Sequence, residues 1–309
     1  MKVLILGYSD LVKRKVLPAI ANIKEIESVD IATRTGKVKD FIKLENVYSD
    51  YTKGLNNSNA EIVYISLPNS LHYKFSKLSI ENQKNVIVDK PAVLNKNEFF
   101  SLNELLSSNK LFISMSCVFN FHKAWLMFKK HSLSSGTKGT LISEFTIPKL
   151  ENKNIRMSKK LKGGALNDMG IYATTVGFLF WDKPVKSIKL KTYQKNSLIE
   201  GFTLLANYGR GQNLIGNFGF NQIYTNKITF SGNGIKTEYD RVFSQTPDYG
   251  SKIYKTTNSE EKVINVGRDD AFLKYLKYVV GNAKVNKKLL NLDFKKSNLE
   301  YLKLLDEYE

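Results

Sequence analysis

The sequence predicts an α/β chain in two parts: a doubly wound parallel sheet over residues 1–118, then an α+β domain over 119–309 with an open, mostly antiparallel sheet. Three observations lead there. Short, nearly continuous apolar runs alternate with stretches of helical spacing through the first part, the pattern of strands buried on both faces by crossover helices. The first of those runs stops on a glycine turn, Gly7-Tyr8-Ser9. Beyond about Phe119 the period changes to alternation, with joints such as Gly209-Arg210-Gly211 and Gly232-Asn233-Gly234 that suit hairpins.

In chain order, residues 2–7 read as a buried parallel strand, and residues 10–23 as a helix with Leu11, Val16, Leu17 and Ile20 on one face. A second strand covers 29–33 and a stronger one 62–67, stopped by Pro68-Asn69-Ser70. A helix over 71–81 leads to the Val86-Ile87-Val88 strand, and another over 96–107 leads to a strand at 112–116. A helix over 123–130 then opens the second part. Alternating segments follow at 141–147, 188–192, 203–208, 213–220, 227–231 and 236–239. Between the first two of these, Gly163 and Gly164 open a further helix, and helices over 269–280 and 296–308 close the chain.

Composition narrows the function classes. With 42% hydrophobic and 25% charged residues, the chain reads as globular rather than disordered. Lys and Arg number 47 against 29 Asp and Glu, a net charge of +18. The basic residues are spread along the chain, without a block of like charge or a nucleic-acid-binding signature. The field therefore points to a phosphorylated small molecule, and nucleic acid is not an expected partner. No apolar run approaches the roughly 18 to 20 residues of a membrane span, and nothing resembles a secretory leader. One cysteine, Cys117, excludes an internal disulfide framework and suits a reducing cytoplasm. Three scattered histidines make a metal site improbable, so none is expected.

Four segments carry candidate chemistry. The turn Gly7-Tyr8-Ser9-Asp10-Leu11-Val12 joins a strand to a helix start, where free N–H groups suit a pyrophosphate. Against G-x-G-x-x-G only Gly7 remains, with Ser9 and Val12 in the other glycine places, so an ordinary strand-to-helix turn stays open. The second strand ends in Thr33-Arg34-Thr35, with no acid to take a ribose hydroxyl. An arginine there suits a 2′-phosphate, which favours NADP(H) while leaving NAD(H) possible; an exposed loop arginine is the plainer alternative. Asp89-Lys90-Pro91 follows an apolar strand and presents a lysine at the carboxyl edge of the sheet, where open α/β sheets bind ligands. Asp168 and Tyr172, four apart, share one face near a helix start and could orient a hydroxyl and deliver a proton. Read bare, they are a capping acid and a core tyrosine.

Taken in order, these segments resemble the Gfo/Idh/MocA family of nicotinamide-dependent oxidoreductases, which includes glucose–fructose oxidoreductase and inositol dehydrogenase. Gly7 with Val16-Leu17-Pro18-Ala19 is similar to the family's cofactor turn. Ser66-Leu67-Pro68-Asn69-Ser70-Leu71-His72 resembles its third-strand signature, Asp89-Lys90-Pro91 its Glu-Lys-Pro signature, and Gly163 to Tyr172 its second-domain active-site helix. The resemblance implies a Rossmann domain followed by a sheet domain that often forms a dimer interface, hence a homodimer or homotetramer. It also implies that Gly7, Ser9, Asp10, Leu11, Thr33, Arg34, Ser66, Leu67, Pro68, Asn69, His72, Asp89 and Lys90 face the cofactor. Two departures stand out. Tyr172 takes the place of the histidine common in the family, and the glycine fingerprint is eroded. A branch resembling NADPH-dependent sugar ketoreductases carries tyrosine there. That branch also resembles this chain at Phe145-Thr146-Ile147-Pro148, Asn154-Ile155-Arg156 and Asp240-Arg241-Val242-Phe243.

The resemblance implies hydride transfer between NADP(H) and a sugar carbon bearing oxygen, the sugar being nucleotide-linked. Lys90 would hydrogen-bond the reacting oxygen, Tyr172 would supply the proton, and Asp168 would orient the substrate and Lys90. Asn120, His122, Arg156 and Asn167 would complete the substrate contacts. Two alternatives remain open: an NAD(P)-dependent sugar or uronic acid dehydrogenase, and a dinucleotide-binding sensor of the same fold without chemistry.

Overall fold

The structure is a computed structural model that describes residues 1–151 and 153–308. By contacts the chain forms two compact units: Met1–Ser116 with Phe272–Asn298, and Cys117–Ala271 with Leu299–Glu309.

The first unit is built on six parallel strands, β1 (Lys2–Leu6), β2 (Ser28–Ala32), β3 (Leu44–Tyr48), β4 (Ile62–Ile65), β5 (Asn85–Val88) and β6 (Ile113–Met115). Their spatial order is β3-β2-β1-β4-β5-β6, the doubly wound dinucleotide-binding arrangement. The β1, β2, β4 and β5 runs were legible because helices cover both faces: Leu4, Ile5, Leu6, Val63, Tyr64, Ile65 and Val88 are all fully buried. A π-helical turn, Val12–Val16, continues into α1 (Leu17–Ala21); α2 (Tyr51–Asn57), α3 (Asn69–Glu81) and α4 (Lys96–Ser108) follow. Asn95 caps α4 by accepting from Glu98 N at 2.9 Å, while the Glu98 carboxylate accepts from Leu94 N at 2.7 Å.

Two elements of the first unit lie outside the sequence reading, β3 and α2. β3 is an edge strand whose central side chains are exposed, so Leu-Glu-Asn-Val-Tyr has no buried period. α2 is short, carries Gly54, Asn56 and Asn57, and owes its start to Asp50, which accepts from Lys53 N at 2.8 Å.

The second unit opens with α5 (Lys123–Ser132), β7 (Gly139–Thr146) and α6 (Ala165–Trp181). It continues through β8 (Ser187–Lys195), β9 (Leu198–Gly209), β10 (Gln212–Gly219), β11 (Thr225–Gly232), β12 (Ile235–Asp240), β13 (Ser251–Thr257) and β14 (Glu261–Gly267). These strands make one sheet, β14-β13-β12-β11-β7-β10-β9-β8, antiparallel except where β10 runs parallel to β7. α6 lies against β7, β9 and β10, and α5 against β12 and β13. Alternate residues of β9, Leu198, Phe202, Leu204 and Ala206, are buried on the helix side. The strands β13 and β14 were not predicted. As an outer pair laced with Lys252, Lys255, Glu261 and Lys262, they lack the apolar alternation of the inner strands.

Where the sequence suggests one boundary after residue 118, the chain returns to the first unit through α7 (Ala271–Val285) and the first part of α8 (Lys287–Asp306). The reason is visible at the β6 edge. Asn291 accepts from Ile113 N at 2.9 Å and donates to Leu111 O at 3.0 Å, satisfying backbone groups that no strand pairs. The Tyr275 hydroxyl bonds Ser114 Oγ at 2.8 Å, and Phe294 stacks on Phe99. Among the described residues, no helix is long and apolar enough to cross a membrane.

Candidate active site

In the first unit the strand order reverses between β1 and β4, and the chain leaves β1 there through Gly7. Gly7 has φ +96°, and a Cβ on it would sit 2.2 Å from the Ser66 carbonyl oxygen. Only glycine lets the turn press so closely on the end of β4. Ser9, in the place of the second glycine, accepts from Val12 N at 3.1 Å and bonds Ser66 Oγ at 2.8 Å. Since Ser66 donates to Asp89 Oδ2 at 2.6 Å, the Ser9 hydroxyl donates to Ser66. The eroded fingerprint thus carries a hydrogen-bonded link that glycine could not make.

Asp89 gathers two further donors, Tyr64 at 2.7 Å and Ser116 at 2.9 Å, both on Oδ1. Burial pushes the Tyr64 phenol well above its ordinary range, helped by the Asp89 charge, so it stays a proton donor. The carboxylate points inward while Lys90, the next residue, is half-buried at the carboxyl end of β5. The Lys90–Pro91 peptide is cis. His72 then clasps the loop from below, its Nδ1 2.7 Å from Pro91 O and its Nε2 2.7 Å from Leu67 O. Burial lowers the imidazole below its ordinary value, against the pull of the Pro91 carbonyl and the Asp89 charge. His72 was expected against the cofactor. With 1% exposure and both ring nitrogens on backbone oxygens, it instead ties the end of β4 to the loop after β5.

The remaining cofactor candidates lie around the same edge. Leu67 is buried, Pro68 and Asn69 are half-buried at the start of α3, and Leu11 is half-buried in the first helical turn. Asp10 is exposed and pairs loosely with Lys13 at 3.4 Å. Thr33 is buried, its N–H bonded to Tyr48 O at 2.9 Å, and Arg34 stands exposed beyond it. The residues present fit a dinucleotide: a glycine-only turn at the strand reversal, a helix start facing it, and a cation with no carboxylate after β2.

In the second unit, Gly164 has φ +96° and donates its N–H to Arg156 O at 2.8 Å, while a Cβ on Gly163 would strike that same carbonyl at 2.3 Å. The double glycine therefore seats the start of α6 against the Ile155–Met157 turn, which Asn154 caps through Arg156 N at 3.0 Å. Arg156 Nε donates to Asp168 Oδ2 at 3.0 Å. The Asp168 charge, chiefly, raises the guanidinium above its ordinary value, and the Tyr172 phenol adds to it. Tyr172 is half-buried in an aromatic box: Phe243 stacks on it with centroids 4.8 Å apart, and Phe119 and Phe145 close the sides at 6.2 and 6.0 Å. A cation, a carboxylate and an oriented phenol are thus assembled on one helical face.

The other substrate candidates divide. Asn120 is half-buried, and its Oδ1 is a buried acceptor with no protein partner among the described residues. His122, 2% exposed, caps α5 by accepting from Ala124 N at 3.0 Å. That is a structural task, not the expected place in a cleft. Asn167 donates to Lys162 O and Gly163 O at 3.2 Å and accepts from Tyr301 at 3.4 Å, so it holds the glycine turn. Sequence reasoning missed Tyr64 and Ser116 around Asp89, and the roles of Phe119 and Phe243. No local pattern marks these contacts.

Residues 1–116 match the family described as an oxidoreductase family with an NAD-binding Rossmann fold (GFO_IDH_MocA). The dTDP-3,4-didehydro-2,6-dideoxy-alpha-D-glucose 3-reductase of Saccharopolyspora spinosa is 26% identical over 81% of this chain and 77% of its own length. A D-xylose 1-dehydrogenase (NADP(+)) of Haloferax volcanii is 25% identical over 58% of this chain and 57% of its own. Among solved structures, the 3-ketoreductase KijD10 from Actinomadura kijaniata, in complex with NADP and TDP-benzene, superposes with TM-score 0.88 at 21% identity. That match covers 99% of this chain and 96% of the other.

The Asp89 cluster has a direct test. Asp89→Asn puts an amide N–H₂ where one of three hydroxyls now donates, so unfolding should cost about 1–3 kcal/mol less in urea titration. A midpoint equal to that of the parent chain would show that the cluster is not under this constraint.

Proposed function

We propose, from the match of residues 1–116 to the oxidoreductase family with an NAD-binding Rossmann fold, that the protein is an NADP(H)-dependent oxidoreductase that reduces the carbonyl of a nucleotide-linked keto sugar in the manner of a 3-ketoreductase. The observation that carries the reading is Tyr172, a half-buried phenol fixed by Phe243 one helical turn from the Arg156–Asp168 pair. The dTDP-keto-sugar reductase similarity over 81% of the chain supports the substrate class.

Bound NADPH supplies the hydride; the chain supplies position and proton management. The Gly7–Leu11 turn would hold the pyrophosphate, with Thr33 and Arg34 at the 2′-phosphate. Lys90 donates a hydrogen bond to the carbonyl oxygen, which favours charge building up there. Tyr172 gives its phenolic proton to that same oxygen as the alkoxide forms. Arg156 and Asp168 hold the helix face that carries the phenol, and Asp168 accepts from a substrate hydroxyl. Asn120 Oδ1 takes a second hydroxyl donor. In the oxidative direction the same proton returns to Tyr172, so the D-xylose dehydrogenase similarity fits the same residues run backwards.

We place the protein in the cytoplasm, which supplies NADPH and suits a lone buried cysteine. We assign it a homodimer or homotetramer. The support is an exposed apolar row on the uncovered sheet face, with Ile215 paired in register to Ile142 and Leu205. Light scattering should return two or four chain masses; a single-chain mass would remove that assignment.

Lys90→Met and Tyr172→Phe should each slow NADPH oxidation on a keto-sugar nucleotide by roughly 10²-fold or more, with NADPH affinity nearly kept. Unchanged turnover in either would strip that residue of its role. Arg34→Ala should weaken NADPH about tenfold or more and leave NADH unaffected, since only the former carries the phosphate. Equal losses for the two dinucleotides would refute the NADP(H) assignment.

A further inference from the structure

One buried amide in the second unit holds the segment that carries Phe243. Asn226, 4% exposed, lies near the start of β11, directly across the ladder from Phe145 on β7. Paired residues of neighbouring strands point to the same face, so the amide shares the α6 side of the sheet with the Phe145 ring. On its other edge β11 pairs with β12, and that ladder ends at Lys227 and Asp240. Beyond Asp240 the chain turns at Arg241, which has φ +59°, and residues 241–244 lie in no strand. Asn226 serves two of their N–H groups: its main-chain oxygen accepts from Arg241 N, and its Oδ1 accepts from Phe243 N at 3.1 Å. Its Nδ2 donates to Ser244 Oγ at 2.8 Å and, at 3.4 Å, to the Tyr224 hydroxyl. A backbone N–H can only donate, so the amide is fixed with its oxygen toward Phe243 and its nitrogen toward Ser244.

The ring held in this way is the one over Tyr172. Phe243 stacks on Tyr172 at 4.8 Å and meets Phe119, Phe145 and Phe218 at 5.2, 5.5 and 6.2 Å. Aromatic pairs tolerate centroid separations of about 4.5 to 7 Å, so packing alone lets such a cluster slide. Hydrogen bonds have much narrower limits of length and angle. Asn226 meets the cluster at two points, across the ladder at Phe145 and through its amide at Phe243. A left-handed residue other than glycine persists where its surroundings over-determine it. Arg241 is held at its N–H by the Asn226 carbonyl and at its guanidinium by the Tyr249 ring, 4.9 Å below.

We propose that Asn226 is a positioning residue for the proton donor: it sets Phe243 and, through that ring, the direction of the Tyr172 phenol. The inference rests on the reading of Tyr172 given above. Its consequence is a split between rate and binding. A proton donor misplaced by about 1 Å slows the reaction, while the contacts that hold the ligands are kept.

A spectroscopic and a kinetic readout test this together. In protein labelled with carbon-13 at the tyrosine ζ carbons, Tyr172→Phe identifies the Tyr172 line. Asn226→Ala should shift or broaden that line and leave the Tyr64 line, in the other unit, in place. In NADPH oxidation on a keto-sugar nucleotide the same variant should lose about ten- to a hundredfold in kcat, with KM and NADPH affinity nearly unchanged. The pair Ser244→Ala/Tyr224→Phe, both exposed positions, keeps the Phe243 bond and frees only the amide nitrogen, so both effects should be smaller and in the same direction. That pair decides alone if Asn226→Ala does not fold, and parent values in both readouts would then count against the clamp. A Tyr172 line that stays put in folded Asn226→Ala, or a rate that falls only with the folded fraction, would overturn the inference. Full turnover in Tyr172→Phe would instead sink the proton-donor reading, while a moved line would still report the hold of Asn226 on the ring.

Discussion

One carboxylate organises the carboxyl edge of the parallel sheet in the first unit. Asp89 takes hydroxyls from Tyr64 on β4, from Ser66 just beyond it, and from Ser116 just beyond β6. Through Ser66 it also reaches Ser9 in the turn after β1. Three neighbouring strand ends are therefore tied to the residue immediately before Lys90. A side chain that holds three donors has little rotational freedom left, so the backbone that presents the lysine is fixed from within. Aspartate, shorter than the glutamate the signature usually carries, and serine in a glycine place look like separate erosions in the sequence. In space they are two ends of one hydrogen-bonded chain.

The helix face that carries Tyr172 in the second unit follows a different rule. Packing positions Tyr172: its ring is gripped by Phe243, Phe119 and Phe145, and the polar atoms are left to Arg156 and Asp168. Aromatic contacts fix a phenol's direction without competing for its proton. The double glycine before α6 serves the same end, since any side chain at Gly163 would push Arg156 away from the helix that bears its partner.

How much of this the sequence disclosed depends on whether a feature is local. The strands β1, β4 and β5 were plain as buried apolar runs, and Lys90, Asp168 and Tyr172 stood in short motifs of recognisable spacing. β3 and β14 escaped because edge strands trade apolar alternation for charge, and β13, the next strand in, carries Lys252 and Lys255. The β6 edge is completed by Asn291, some 180 residues on, a pairing no local window contains. His72 drew attention through the third-strand signature and His122 by following the last strand of the parallel sheet; both are buried and bond backbone groups.

The proposed mechanism has Lys90 and Tyr172 serve one oxygen in one chemical step. A double-mutant cycle in single-turnover NADPH oxidation tests it most directly, comparing Lys90→Met, Tyr172→Phe and the two combined. Groups acting together on the same oxygen should be strongly coupled, so the combined variant should be scarcely slower than the slower single one. Rate losses that simply multiply would mean the two side chains act independently, and the mechanism drawn here would be wrong.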